Sequence, residues 1–127
     1  MKLALDTNRY SDLASGIAEA ADAVESAAQV CLPVIVLGEL RTGFLRGTRA
    51  RQNEAVLGRF LRTYNVTVLN CDAETSRHYA ALAADLRSRG TPIPDNDCWI
   101  AALSLQHGCT LYARDAHFDL IPQLDRL

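Results

Sequence analysis

A chain of 127 residues, 49% apolar and 22% charged, has enough nonpolar side chain for one core and too little length for two, so 1–127 reads as one domain. A net charge of −2 excludes a protein that coats nucleic acid through bulk charge, and no stretch approaches the roughly 20 apolar residues of a membrane span. The apolar run that opens the chain stops at Asp6, too early for a secretion signal, so a cytoplasmic location without a membrane partner is the expectation.

Lys2 to Leu5 is apolar on both parities, as in a central parallel strand covered on two faces, and it ends in the turn Asp6-Thr7-Asn8. A weakly helical stretch follows to about Leu13 and breaks at Gly16. Ile17 to Ala28 then places Ile17, Ala20, Ala21, Val24 and Ala28 on one helical face. Gln29 to Leu32 is a second short strand, with Pro33 suited to the first position of a helix from Val34 to Arg46. That helix carries Glu39 among Val36, Leu37, Leu40 and Phe44, and Gly38 and Gly43 make its face narrow. Arg49 to Tyr64 is a further helix with Val56, Leu57, Phe60 and Leu61 inward and arginines outward.

Val66 to Leu69 has the β-branched alternation of a third strand, and Asp72 caps a long helix that Gly90 ends. Pro92 and Pro94 force an extended approach to the next helix, which Asp95 or Asn96 is suited to cap. This helix carries Asp97 in its first turn, where the positive end of the helix dipole favours a carboxylate, and it stops at Gly108. Trp99, beside Ile100, reads as core packing in preference to a base-stacking platform. Thr110 to Ala113 is a fourth strand, and the tail from Phe118 to Leu127 reads as a turn of helix and a short edge strand. Strands separated by helices give right-handed crossovers and an α/β fold, a central parallel sheet of four to five strands with helices on both faces.

Such sheets bind ligands beyond the carboxyl ends of their strands. Asp6 and Asp115 each follow a strand, so they emerge on that edge, side by side if the first and fourth strands are neighbours. Glu39 lies in the first two turns of the helix after the second strand, near the same edge. Asp97 reaches it only because the loop before its helix wraps over the top. The same residues also fit ordinary roles: Glu39 as an exposed acid paired with Arg41 or Arg46, Asp97 as a helix-start charge, Asp6 and Asp115 as turn acids.

Charge is unevenly spread. From Arg41 to Arg62 six arginines face Glu54 alone, a local charge of +5, which leaves −7 for the remainder. Arginine outnumbers lysine twelve to one, which suits bidentate phosphate or carboxylate contacts, although a solvated helix face accounts for the same pattern. Cys31, Cys71, Cys98 and Cys109 show no metal spacing and read as buried free thiols, and His78, His107 and His117 as surface or packing residues.

Four motifs occur in order: L-D-T-N at Asp6, G-E-L-x-x-G at Glu39, I-P-x-x-D-x-W-I-A-A at Asp97 and Y-A-R-D-A-H-F at Asp115. Together they resemble the PIN domain, specifically the VapC-type toxin ribonucleases of type II toxin–antitoxin pairs. The resemblance implies that Asp6, Glu39, Asp97 and Asp115 gather around Mg2+ or Mn2+ and are catalytic. It also implies an RNA substrate, cleavage leaving a 5′-phosphate and a 3′-hydroxyl, a cognate VapB-type antitoxin and a homodimer. Ala113 departs from the pattern, because the family usually has Thr or Ser there, so one hydroxyl near the metal pocket is missing. Thr7 and Asn8 are candidates for hydrogen bonds that aim Asp6, with local turn bonding as their other reading. Arg9, Arg49 and Arg51 are candidates for contacts to substrate phosphate. Arg9 fits equally as a counter-charge for a neighbour, and the Arg41–Arg62 stretch fits an antitoxin surface as well as an RNA path.

The chemistry suits the residues. Hard divalent cations take oxygen ligands, and two unit charges about 4 Å apart repel by roughly 4 kcal/mol at an effective dielectric near 20. Four acids in one pocket therefore hold either protons or a cation, and a cation would activate water for in-line attack on a phosphodiester. An EF-hand at Asp95 fails, because Ile100 stands at the obligatory glycine and no Glu closes the loop. A receiver domain would need a late lysine, and a D-x-D phosphatase an acid at Asn8. The remaining alternative is a PIN-like module that binds RNA or protein without cutting.

Overall fold

In the computed structural model, which describes residues 1–127, four short strands form one parallel sheet. The strands are β1 (Lys2–Leu5), β2 (Gln29–Pro33), β3 (Thr67–Leu69) and β4 (Thr110–Tyr112). Their order is β3-β2-β1-β4, with Ala4 opposite Cys31 on one side and Leu111 on the other. Six helices connect or cover them: α1 (Thr7–Ala14), α2 (Ala18–Ser26), α3 (Val34–Arg46), α4 (Ala50–Thr63), α5 (Ala73–Ser88) and α6 (Asp95–Gln106). A 3₁₀ helix, Ala116–Leu120, follows β4. No helix is long and apolar enough to cross a membrane.

The apolar run at the amino terminus does become the sheet centre. Leu3, Ala4 and Leu5 have no exposed surface, and neither do Cys31, Leu32 and Leu111 beside them. Because β1 lies between β2 and β4, the order in which strands are added reverses there, and a crevice opens beyond the carboxyl ends of β1 and β4. The Asp6 N–H donates to the Tyr112 carbonyl at 3.2 Å, closing that crevice at its base.

Helices α5 and α6 form an antiparallel pair that fixes where Asp97 comes to lie. The Lys2 ammonium donates to the His107 carbonyl at 2.7 Å, so the C-terminal end of α6 is held at the amino end of β1. Twelve residues rising about 1.5 Å each carry the other end of α6 roughly 18 Å up, to the carboxyl edge. Thr75, fully buried, bonds Asp72 and Gln106, tying the start of α5 to the end of α6. Gly90 and Gly108, at φ +71° and +64°, supply the left-handed turns that stop these two helices.

Several details differ from the sequence reading. Pro94, not Asp95 or Asn96, occupies the N-cap of α6, and Asp95 instead accepts a hydrogen bond from the Tyr79 hydroxyl at 3.0 Å. Pro33 closes β2 and caps α3 from outside, because its φ of −58° and ψ of 138° are extended. Ile17 and Val56 are 46% and 38% exposed, so the inner faces of α2 and α4 are narrower than their periodicity suggests. A Cβ on Gly38 or Gly43 would meet nothing within 4 Å, so neither glycine marks a close helix contact. Cys71 is exposed, while the other three thiols are buried and all four are free. Trp99 is half-buried and stacks on Tyr79, their ring centroids 4.0 Å apart, at the α5–α6 surface. The tail contributes no full strand: it meets β4 at one parallel bridge, Leu111 to Arg126, which leaves the sheet at four strands.

Candidate active site

Two acids are set by the same local device. Asp6 is the N-cap of α1, and its Oδ1 accepts the N–H of Asn8, two residues on, at 2.7 Å. Asp115 caps the 3₁₀ helix, and its Oδ1 accepts the N–H of His117, again two residues on, at 2.9 Å. In both, a turn pins one carboxylate oxygen and leaves Oδ2 without a turn partner. Since β1 and β4 are neighbours, the two pinned carboxylates stand side by side beyond the sheet.

Glu39 arrives from the second turn of α3, where the Thr7 hydroxyl donates to its Oε1 at 2.7 Å. The ordinary reading, in which Glu39 pairs with an arginine, does not hold, because Arg41 turns to Glu54 at 2.8 Å. Asp97 arrives from the first turn of α6. Its Oδ2 lies 2.8 Å from Nδ1 of His117, and the same nitrogen lies 2.9 Å from Oδ1 of Asp115. Asp97, Asp115 and His117 thus offer three ligand atoms all within 4.8 Å of one another.

Electrostatics link all four acids. Burial pushes the carboxyl of Asp6 above its ordinary range, the Asn8 N–H opposes this, and the charges of Asp97, Glu39 and Asp115 push it further up. Asp97 is also raised, first by burial; its bond to His117 works against this, and Asp115 and Glu39 add to it. The imidazole of His117 is raised chiefly by its bond to Asp97, with both aspartate charges contributing. A buried carboxylate destabilised by three others fits a divalent cation, which would relieve burial and repulsion together.

The resemblance read from the four motifs is matched at the level of the whole chain: a family model described as PIN domain covers residues 3–124. The chain belongs to the PIN domain family. It is 29% identical to Ribonuclease VapC4 of Mycobacterium tuberculosis over 72% of this chain and 71% of that protein. It superposes with a TM-score of 0.89 on a structure of VapBC2 from Rickettsia felis bound to a DNA fragment from the promoter. That match covers 100% of this chain and 98% of the other at 25% identity. A member of the VapBC family of toxin–antitoxin systems, VapBC-5 from Mycobacterium tuberculosis, superposes at a TM-score of 0.74 and 27% identity, over 99% and 95% of the two chains.

Within this PIN domain the accessory residues make mostly local contacts, of the kind the sequence left open as their other readings. Thr7 holds Glu39, not Asp6, and Asn8 supports Asp6 through its main chain, not its amide. Arg9 takes the counter-charge role: it reaches Asp12 at 3.4 Å and its guanidinium lies 4.2 Å over the Tyr112 ring. Arg49 and Arg51 are exposed, Arg51 beside a shallow hollow with Arg41, Phe44 and Leu45. Ala113 is buried, its carbonyl accepts from Arg126 at 2.8 Å, and its methyl brings no hydroxyl to the site. The residue that sequence reasoning missed is His117. Its only signal was the spacing D-A-H, which places its N–H on Asp115 and brings the ring back over the carboxylates.

Proposed function

We propose that this PIN domain is a metal-dependent endoribonuclease, the toxin of a toxin–antitoxin pair, restrained by a cognate VapB-type antitoxin and acting in the cytoplasm. The observation that carries the reading is the convergence of Asp6, Glu39, Asp97 and Asp115, from four separate segments, into one shared electrostatic space. Similarity to a protein named as a ribonuclease and to VapBC assemblies supports the substrate class and the partner.

The donor set fits Mg2+ or Mn2+, which Asp6, Glu39, Asp97 and Asp115 would hold. When bound, the cation supplies a Lewis acid for the scissile phosphate and lowers the pKa of water. The chain's own residues do the positioning. Asp6 is 6% exposed and turn-locked, so one of its oxygens is presented at a fixed spot. Thr7 holds Glu39 from across the crevice, which keeps a long side chain from sampling solvent. An open depression lined by Ile35, Gly38, Glu39, Thr42 and Asn96 reaches one of the acids, Glu39, and would leave room for a phosphodiester backbone. The exposed arginines between Arg41 and Arg62, Arg49 and Arg51 among them, would guide that backbone or receive the antitoxin. A homodimer would set two such sites in one particle.

The test is cleavage of cellular RNA with Mg2+ or Mn2+, with a chelator and Asp97→Asn as controls. Metal-dependent cutting that Asp97→Asn abolishes is the expected result. Tight RNA binding without cutting would replace this reading with a non-catalytic module.

A further inference from the structure

Resting on the metal-site reading above, we infer that the imidazole of His117 is itself a ligand of that site, and that it tilts the site toward Mn2+ and later transition metals over Mg2+. The argument is geometric. Six ligands about 2.1 Å from one ion sit roughly 3.0 Å from their immediate neighbours in the coordination shell. Nδ1 of His117 stands 2.8 Å from Asp97 Oδ2 and 2.9 Å from Asp115 Oδ1. The nitrogen therefore already occupies a corner next to two carboxylate oxygens, at almost the separations an ion would impose. The backbone sets where the ring starts, since the His117 N–H is bound to Asp115 and Phe118, next in the chain, has no exposed surface. The side chain is 44% exposed, and its contacts to Asp97 and Asp115 are what hold the ring over the carboxylates.

Without an ion, a proton on Nδ1 would hold the two carboxylates together. With an ion, the Nδ1 lone pair would bind it while the ring proton sits on Nε2, and any second proton would be released to solvent. The consequence lies in ligand softness. Magnesium favours a shell of oxygens, mostly water, whereas imidazole suits the first-row transition metals. Asp6, Glu39, Asp97 and Asp115 would serve either ion; His117 would discriminate.

The experiment uses Mn2+ as a spectroscopic probe on the intact protein, with Mg2+ as competitor. Pulsed electron paramagnetic resonance of the Mn2+-loaded wild type is expected to show a directly coordinated 14N, absent in His117→Ala and His117→Asn. Both variants are expected to lose roughly tenfold in Mn2+ affinity. Their Mg2+ affinity should change by less than about twofold, so that the preference narrows. Bound Mn2+ with no coordinated nitrogen, or an unchanged Mn2+:Mg2+ ratio in the variants, would overturn the inference while leaving the four-acid site intact. Failure of the wild type to bind Mn2+ at all would overturn both.

Discussion

Asp6→Asn separates the site's function from its stability. The substitution keeps an oxygen to accept the Asn8 N–H and removes one charge from a side chain that is only 6% exposed. Asp97 and Asp115 hold ligand oxygens within 4.8 Å of each other, and at an effective dielectric near 20 two unit charges that far apart repel by about 3.5 kcal/mol. Asp6 is buried without a cationic partner, a placement that costs a polar group about 1–3 kcal/mol, and it lies in the field of this pair and of Glu39, so neutralising it should return about 2 kcal/mol. In a domain of this size that is a rise in Tm of roughly 8 °C in the presence of chelator. The sign with pH follows from the same shift. Because Asp6 and Asp97 are raised, the folded metal-free protein binds more protons than the unfolded chain between the ordinary carboxyl pKa and the raised values. Its stability should therefore fall as pH rises through that window and stay low at neutral pH, where Mn2+ restores it. Asp6→Asn should flatten the pH dependence and largely abolish the gain from Mn2+. Differential scanning fluorimetry across pH, with and without Mn2+, reads all of this. A variant no more stable than wild type in chelator at neutral pH would refute the electrostatic argument.

Other substitutions probe other parts of the account. Thr7→Val, which removes only the hydroxyl that holds Glu39, should lower Mn2+ affinity and cleavage by roughly tenfold with little change in Tm. Thr75→Ala should cost about 1–3 kcal/mol in urea unfolding, because it breaks the buried link between α5 and α6 far from the acids. Arg49→Glu with Arg51→Glu should weaken either RNA cleavage at low salt or antitoxin binding. If both are unchanged in titration and in activity, that stretch is a solvated face.

Much of this architecture can be read from residue order because its causes are local. The two-sided apolar run at Lys2 to Leu5 requires a central strand, and Asp72 and the glycines at 90 and 108 mark helix limits that the backbone obeys. Asp6 and Asp115 are legible as strand-end acids for the same reason. The acids that come from helices are harder, since nothing near Glu39 or Asp97 in the chain states which edge they reach. The loop argument and the motif pattern placed them beforehand; in the structure, the Lys2–His107 bond and the antiparallel α5–α6 pair place Asp97, and the Thr7 hydroxyl holds Glu39. His117 escaped because its role depends on a turn folding back over two carboxylates, one of them twenty residues earlier. The exposure of Val56 escaped because helical periodicity gives the direction of a buried face but not its width.

The central claim is that Asp6, Glu39, Asp97 and Asp115 together hold one divalent site. Crystals grown with Mn2+ and measured at its absorption edge test it most directly. The account predicts a strong anomalous peak in the crevice beyond β1 and β4, bounded by those four carboxylates. It is contradicted by no peak there at a Mn2+ concentration that supports RNA cleavage, or by a peak that Glu39 and Asp97 do not approach.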